Sequence, residues 1–251
     1  MKASKISQRI LPAVIGFILL LSALEVLSFM AILNSTLFPP PSALYKALLE
    51  IPQDFYKAFM QTFSNVIFGF VASFILGLLV AMVFSLSNFL QAALLPYALF
   101  FQTVPIIAIA PLLVIYFGFG NPTVIASSFI VSLFPIIANS LIGLNSSPQN
   151  SLELFQIYRA SPWQTLWKLR LPMAYPYIVG GLKISAGLSI IGAIAGEFVA
   201  GGGLGAIIDA ARTQQRIDLV YVCLVLLSMM GLMMIAAIHL LDGFIKRHRP
   251  L

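Results

Sequence analysis

The residues able to do chemistry in this chain sit where long apolar runs are interrupted. The first interruption is Gln102-Thr103-Val104-Pro105, in a run that also holds Pro96 and Pro111. A proline within a helix lacks a donor and displaces the carbonyl four residues back, so Phe101 and Ile107 carry freed oxygens. In lipid, such broken backbone persists where it faces protein or a water-filled cavity. Two readings stand: a movable helix with Gln102, Thr103 and Pro105 along a solute pathway, or a kinked, packed helix with locally satisfied polar groups. The second interruption is a four-residue stripe, Gly181, Ser185, Ser189, Ala193 and Glu197. An ionisable residue inside an apolar span is a functional candidate, which adds Ser189 and Glu197 to the candidate pathway. The alternative is that Glu197 reaches interfacial water and pairs with Arg212 or Arg216. Glu25 reads as a structural partner of a polar neighbour. The stripe Gly69, Ser73, Gly77, Ala81 and Ser85 lets another helix approach closely and carries no chemistry.

Covalent and metal catalysis find no footing. The histidines are His239 and His248, with no Gly-x-Ser-x-Gly turn and no paired histidine, so no nucleophile has a base in view. No Gly-x-x-x-x-Gly-Lys-Ser/Thr run is present, so the chain does not itself cradle ATP phosphates. The single cysteine, Cys223, cannot close an internal disulfide. The expectation is a protein that is not an enzyme, with no catalytic residue, no metal site and no cofactor of its own.

Composition identifies the medium that positions these residues. Of 251 residues, 60% are hydrophobic and 9% charged, and mean hydropathy is +1.01. A soluble domain carries about 25% charged residues, so this chain cannot cover a water-facing surface. A soluble enzyme, a disordered chain and a nucleic-acid partner are excluded. The apolar residues run unbroken and do not alternate, which excludes a transmembrane barrel. An all-α polytopic membrane protein remains. About six spans are predicted: Ile10–Leu33, Met60–Phe84, Leu94–Phe117, Thr123–Leu144, Tyr175–Val199 and Ile217–Leu241. The first is read as an uncleaved signal-anchor, because its apolar run outlasts a signal peptide's core.

With the N-terminus inside, ten Lys and Arg fall on the cytoplasmic side, and only Lys46, Lys57, Arg212 and Arg216 fall outside. That bias sets the orientation, with both termini cytoplasmic. The predicted organisation is a cytoplasmic tail at 1–9, a transmembrane domain at 10–241 with a cytoplasmic loop at 145–173, and a basic tail at 242–251. Phe38 to Ser42 reads as an outer turn, followed by a short amphipathic stretch to Lys57.

The cytoplasmic loop is the most informative stretch. Ser151 suits a helix N-cap, with Glu153 in the first turn where a carboxylate complements the dipole. Ala160-Ser161-Pro162 stops that helix and starts a second, with Ser161 as cap. Leu171-Pro172 is expected to end the second helix. Leu152, Phe155 and Tyr158 can share an apolar face, which suits a helix laid into a partner's groove. The alternative is a helix lying on lipid headgroups.

This loop resembles the EAA loop of permease subunits of ABC importers, the binding-protein-dependent transport inner-membrane components. That pattern has a Glu, two small residues, a Gly six positions after the Glu, and Leu-Pro near positions 18 and 19. Here Glu153 is followed by Leu171 and Pro172 at offsets 18 and 19. Leu154 and Phe155 stand where Ala is usual, and Arg159 where Gly is usual. The resemblance extends from about Pro39 to about Asp242. It includes Ala110-Pro111-Leu112-Leu113, Tyr116 to Gly120, Leu171 to Ile178, and the Gly196-Glu197 to Gly205 region. These blocks are similar to the nitrate/sulfonate/taurine branch, which includes thiamine-precursor and riboflavin-type permeases.

The resemblance implies a type I importer (MetI-like) core in the cell's inner, cytoplasmic membrane. Two permease copies would sit on two ABC ATPase subunits that use the ATP, with a periplasmic or lipid-anchored binding protein delivering solute. Leu152, Glu153, Phe155, Gln156, Tyr158, Arg159, Ala160 and Ser161 would form the ATPase-docking segment. The solute would be a sulfonate, nitrate, a pyrimidine or thiamine precursor, or a riboflavin-like compound. The competing expectation is an ion-coupled secondary transporter, which would show paired interrupted spans in two halves and a midplane ion site.

Overall fold

The computed structural model describes residues 37–248, together with positions 12, 15–16, 19, 22–28 and 30. Regular structure among the described residues is helical throughout. The predicted tail at 1–9 and most of the predicted first span, Ile10–Leu33, lie outside the described residues, although 22–28 are helical. Helix α1 spans Pro41–Glu50, α2 Pro52–Leu86, α3 Asn88–Thr103 and α4 Ile106–Phe117. Helix α5 spans Asn121–Asn145 and α6 Gln149–Ile157. Helix α7 runs Pro162–Ala200, α8 Gly203–Thr213 and α9 Ile217–His248. Four of these, α2, α5, α7 and α9, are long and apolar enough to cross a bilayer.

The predicted third span, Leu94–Phe117, is two helices. Val104 is extended (φ −75°, ψ 122°) and Pro105 precedes α4 (φ −59°, ψ 124°). A residue before proline is pushed out of the helical region, and the proline itself cannot donate. At 12 residues, α4 is about 18 Å long and cannot cross the roughly 30 Å hydrocarbon core alone. Pro96 and Pro111 are absorbed inside α3 and α4, so only Pro105 breaks the chain.

The chain groups into two compact units, Met1–Lys57 with Ile207–Leu226, and Ala58–Ala206 with Leu227–Leu251. In the first, Arg216 bridges Glu50 at 2.7 Å and Asp218 at 2.8 Å. Arg212 pairs with Asp209 at 2.9 Å. The Ser42 backbone N–H donates to Glu25 at 3.2 Å, which supplies the polar neighbour expected for that carboxylate.

In the second unit, α5 and α7 pack along small residues. A methyl added at Gly192 of α7 would fall 2.6 Å from the Ser127 carbonyl oxygen. On the other side of α5, a methyl added at Gly69 of α2 would fall 2.6 Å from the Ser128 side chain. The approach is close enough for hydroxyls to cross it: Ser132 Oγ donates to Ser73 Oγ, and Ser185 Oγ donates to the Ser132 carbonyl, each at 2.8 Å. Both stripes seen in the sequence therefore grip α5, as small residues do between membrane helices. A hydrophobic cluster of Met82, Phe84, Leu141, Leu144, Leu166 and Ile178 closes the end where α7 begins. There Arg170 donates to the Ser85 carbonyl at 2.6 Å, satisfying one of α2's final acceptors.

Candidate functional site

The break between α3 and α4 opens a cavity of about 680 Å³. Gln102 and Thr103 from the end of α3, Val104 and Pro105 from the break, and Ile106 and Ile109 from α4 form one wall. Helix α5 supplies Ile130, Val131, Leu133, Phe134 and Ile137, and α7 supplies Leu188. Gln102 and Thr103 are exposed. The Thr103 hydroxyl donates to the Phe100 carbonyl at 2.7 Å, so its oxygen keeps lone pairs to offer. Among the described residues, no ionisable side chain lines this space.

Three of the five predicted pathway residues, Gln102, Thr103 and Pro105, thus meet at one cavity. Ser189 and Glu197 do not line it. Ser189 is buried and donates to the Ala186 carbonyl at 2.8 Å, while its neighbour Leu188 turns to the cavity. The α5 wall was not legible in the sequence, because Ile130, Val131, Leu133, Phe134 and Ile137 look like any lipid-facing or packed residues.

Glu197 is 1% exposed and organises a turn. Its Oε1 accepts from Thr62 Oγ1 at 2.7 Å, and its Oε2 accepts from the Gly205 N–H at 2.8 Å. Thr62 Oγ1 also accepts from the Leu204 N–H at 2.9 Å, and Gln61 Oε1 from the Gly203 N–H at 3.1 Å. Three N–H groups that open α8 are therefore satisfied by side chains, and the carboxylate faces the positive end of the dipole. The turn needs glycine at Gly201, Gly202 and Gly203, which hold φ of 77°, 89° and 61°. The alternative reading, in which Glu197 pairs with Arg212 or Arg216, is not borne out. Both of its oxygens are engaged at this turn, and the arginines are taken by Asp209, Glu50 and Asp218.

The loop carries a helix, but with shifted bounds. Helix α6 begins at Gln149 because the Pro148 carbonyl already accepts from the Ser151 and Leu152 N–H groups at 3.1 and 3.2 Å. Ser151 is therefore inside the helix and is not its cap. Glu153 is exposed and accepts from Gln149 Nε2 at 3.3 Å. Leu152 and Phe155 are half-buried, so the predicted Leu152, Phe155 and Tyr158 face is not the outward one. Outward instead are Leu154, Ile157 and Tyr158, at 50%, 77% and 78% exposed. Gln156 and Arg159 are also exposed, and Ala160 is half-buried.

The helix ends as Arg159 turns to φ 51°, at the position where the resembled pattern has Gly. Ser161 caps α7 as predicted: Ser161 Oγ accepts from the Gln164 N–H at 3.1 Å, and the Ser161 N–H donates to Gln164 Oε1 at 2.9 Å. Leu171-Pro172 does not end that helix. Residues Leu166–Arg170 form a π-helical turn in which the Leu171 N–H reaches the Leu166 carbonyl. The widened turn takes up the missing donor and the ring of Pro172, and α7 continues to Ala200. Trp163 and Trp167 meet edge to face at 5.9 Å on its first turns.

Residues 73–250 match the family described as Binding-protein-dependent transport system inner membrane component. The chain is 34% identical over 211 residues to a probable ABC transporter permease protein of Haemophilus influenzae, covering 83% of this chain and 86% of that one. It is 29% identical to the formylaminopyrimidine transport permease protein ThiX of Halalkalibacterium halodurans, covering 91% and 92%. It is 33% identical to the riboflavin transport system permease protein RibX of Chloroflexus aurantiacus, covering 64% and 59%. In three dimensions it is similar to a chain of the MetNI methionine ABC transporter in an inward-facing conformation. The TM-score is 0.63 at 21% identity, covering 76% of this chain and 94% of that one, a likeness of fold. These relatives are named as permeases of transport systems, so the ion-coupled alternative is not favoured. The broken helix, its cavity and the loop helix belong to a multi-pass membrane protein of the binding-protein-dependent transport inner-membrane family, the permease subunit of an ABC importer.

Proposed function

We propose that the α6 loop is the handle by which a separate ABC ATPase drives this permease, and that the cavity at the α3–α4 break lies on the solute route. The observation that carries this reading is the form of the loop. Glu153 stands on a short helix beside outward Leu154, Ile157 and Tyr158. That helix passes through one left-handed residue and a capping box directly into α7, and α7 reaches Leu188 on the cavity wall. From Pro162 to Leu188 is roughly 40 Å of helix at about 1.5 Å per residue. Closure of an ATPase pair under the loop would therefore move a wall of the cavity.

In this reading the chain binds no ATP and catalyses nothing itself. Two copies sit on two ATPase subunits in the cytoplasmic membrane, both termini inside, and a periplasmic or lipid-anchored binding protein delivers the solute. The solutes named for relatives, formylaminopyrimidine and riboflavin among them, are the first candidates. The test is Glu153→Lys. Reversing a charge at a docked interface weakens association on the order of tenfold or more. ATP-driven uptake should be lost while the chain stays in the membrane, and the ATPase should no longer co-purify. Unchanged co-purification would reject the docking role.

A further inference from the structure

We infer that the cavity at the α3–α4 break recognises a neutral nitrogen heterocycle and rejects small inorganic anions. The inference rests on the reading that this cavity lies on the solute route. Among the described residues, its wall holds no lysine, arginine or histidine to neutralise an anion and no carboxylate to neutralise a cation. Moving an unpaired ion into such a lining is costly, whereas a neutral solute with an apolar face is not. The space of about 680 Å³ falls in the range of about 300–1,000 Å³ typical of organic-ligand sites, which are also apolar with a few placed polar groups.

The polar groups define what the solute must offer. Gln102 lines the cavity and carries a carboxamide, with donor and acceptor side by side. A carboxamide pairs in two-pronged fashion with the adjacent donor and acceptor of an amino-substituted nitrogen ring. The Thr103 hydroxyl donates its hydrogen bond to the Phe100 carbonyl, so its oxygen is left to accept a further N–H or O–H. Phe134 supplies an aromatic surface for the ring among branched aliphatic side chains. Nitrate or bicarbonate would use none of this apolar wall and would find no counter-charge.

The experiment uses the transporter assembled with its own ATPase and binding protein in proteoliposomes. Labelled formylaminopyrimidine and riboflavin are compared with nitrate and bicarbonate. The expected result is ATP-dependent uptake of a heterocycle at least tenfold above either anion. In parallel, Ile109→Cys or Ile130→Cys is placed on the wall and treated with a bulky aromatic maleimide after assembly. The native Cys223 is buried and gives the background. Labelling should stop heterocycle uptake, while a methyl-sized thiol reagent at the same cysteine should leave at least half of it. Anion uptake equal to or above that of both heterocycles, or no heterocycle uptake at all, overturns the solute class. If that anion uptake is itself stopped by the bulky label, the pathway reading survives. Heterocycle uptake that persists through the bulky label overturns the cavity's role, leaving the space to lipid or to packing.

Discussion

Glu197 shows how a residue can look like a transport site and act as a fastener. A buried carboxylate costs free energy unless its oxygens are bonded, and here Thr62 and the Gly205 N–H take both. Replacing it with alanine leaves a hydroxyl and a backbone donor without acceptors at the start of α8. The expected loss is about 1–3 kcal/mol, read as a lowered denaturation midpoint of the purified chain in detergent. Glu197→Gln should lose less, since one oxygen remains to accept. Equal stability of the alanine variant would dismiss the clasp. Arg159 carries the opposite expectation. A non-glycine residue in the left-handed region is disfavoured by roughly 1–2 kcal/mol, so Arg159→Gly should stabilise the loop by a comparable amount, measured as slower proteolysis between α6 and α7. Faster proteolysis would mean the guanidinium matters more than the backbone. The sequence marked both positions, one as an acid in an apolar run and the other as a departure from a glycine. It did not reveal their partners, because Thr62 lies 135 positions from Glu197.

At the scale of the helices, the contrast between two glycines of α7 tests how α5 is held. Gly192 abuts the Ser127 carbonyl, whereas a methyl at Gly187 would meet nothing within 4 Å. Alanine at Gly187 should therefore gain up to about 1 kcal/mol of helix propensity. Alanine at Gly192 should instead lose about 1–3 kcal/mol through overpacking, with the two midpoints moving in opposite directions. Similar shifts at both would show that α5 does not approach α7 this closely. The four-residue spacing of small residues was legible as packing because membrane helices have few other ways to associate closely. The ends of helices were less legible. Of the prolines near the α3–α4 break and the start of α7, Pro105 breaks its helix while Pro96, Pro111, Pro172 and Pro176 stay within theirs. The π-turn that keeps α7 intact is a tertiary solution, supported by Leu166 in the core and Arg170 on Ser85. No local signal announces it. In the proposed mechanism a continuous α7 would carry a push at the loop to Leu188, which would make the misread helix end mechanically important.

At the scale of the whole molecule, a carrier and an ATP-driven importer differ in where energy enters. A secondary carrier needs a site where an ion and solute are bound together, and such sites use interrupted spans and intramembrane ionisable groups. Among the described residues the broken helix meets no charged side chain at its cavity, and the buried acid, Glu197, is committed to a turn. What the chain does offer is an exposed helix beside a long lever. Pro105→Ala and Gln102→Ala should then lower uptake severalfold while leaving assembly with the ATPase intact, because they act at the cavity and not at the loop. Glu153→Lys should instead lose uptake together with assembly. Collapsing the ion gradient across proteoliposomes holding the assembled transporter should leave uptake within about twofold, and withholding ATP should abolish it. The two treatments act on different sources of work, so each outcome has one meaning. Uptake that follows the gradient, or that the purified permease sustains with no other subunit present, would show that the energy enters through the membrane and not through α6.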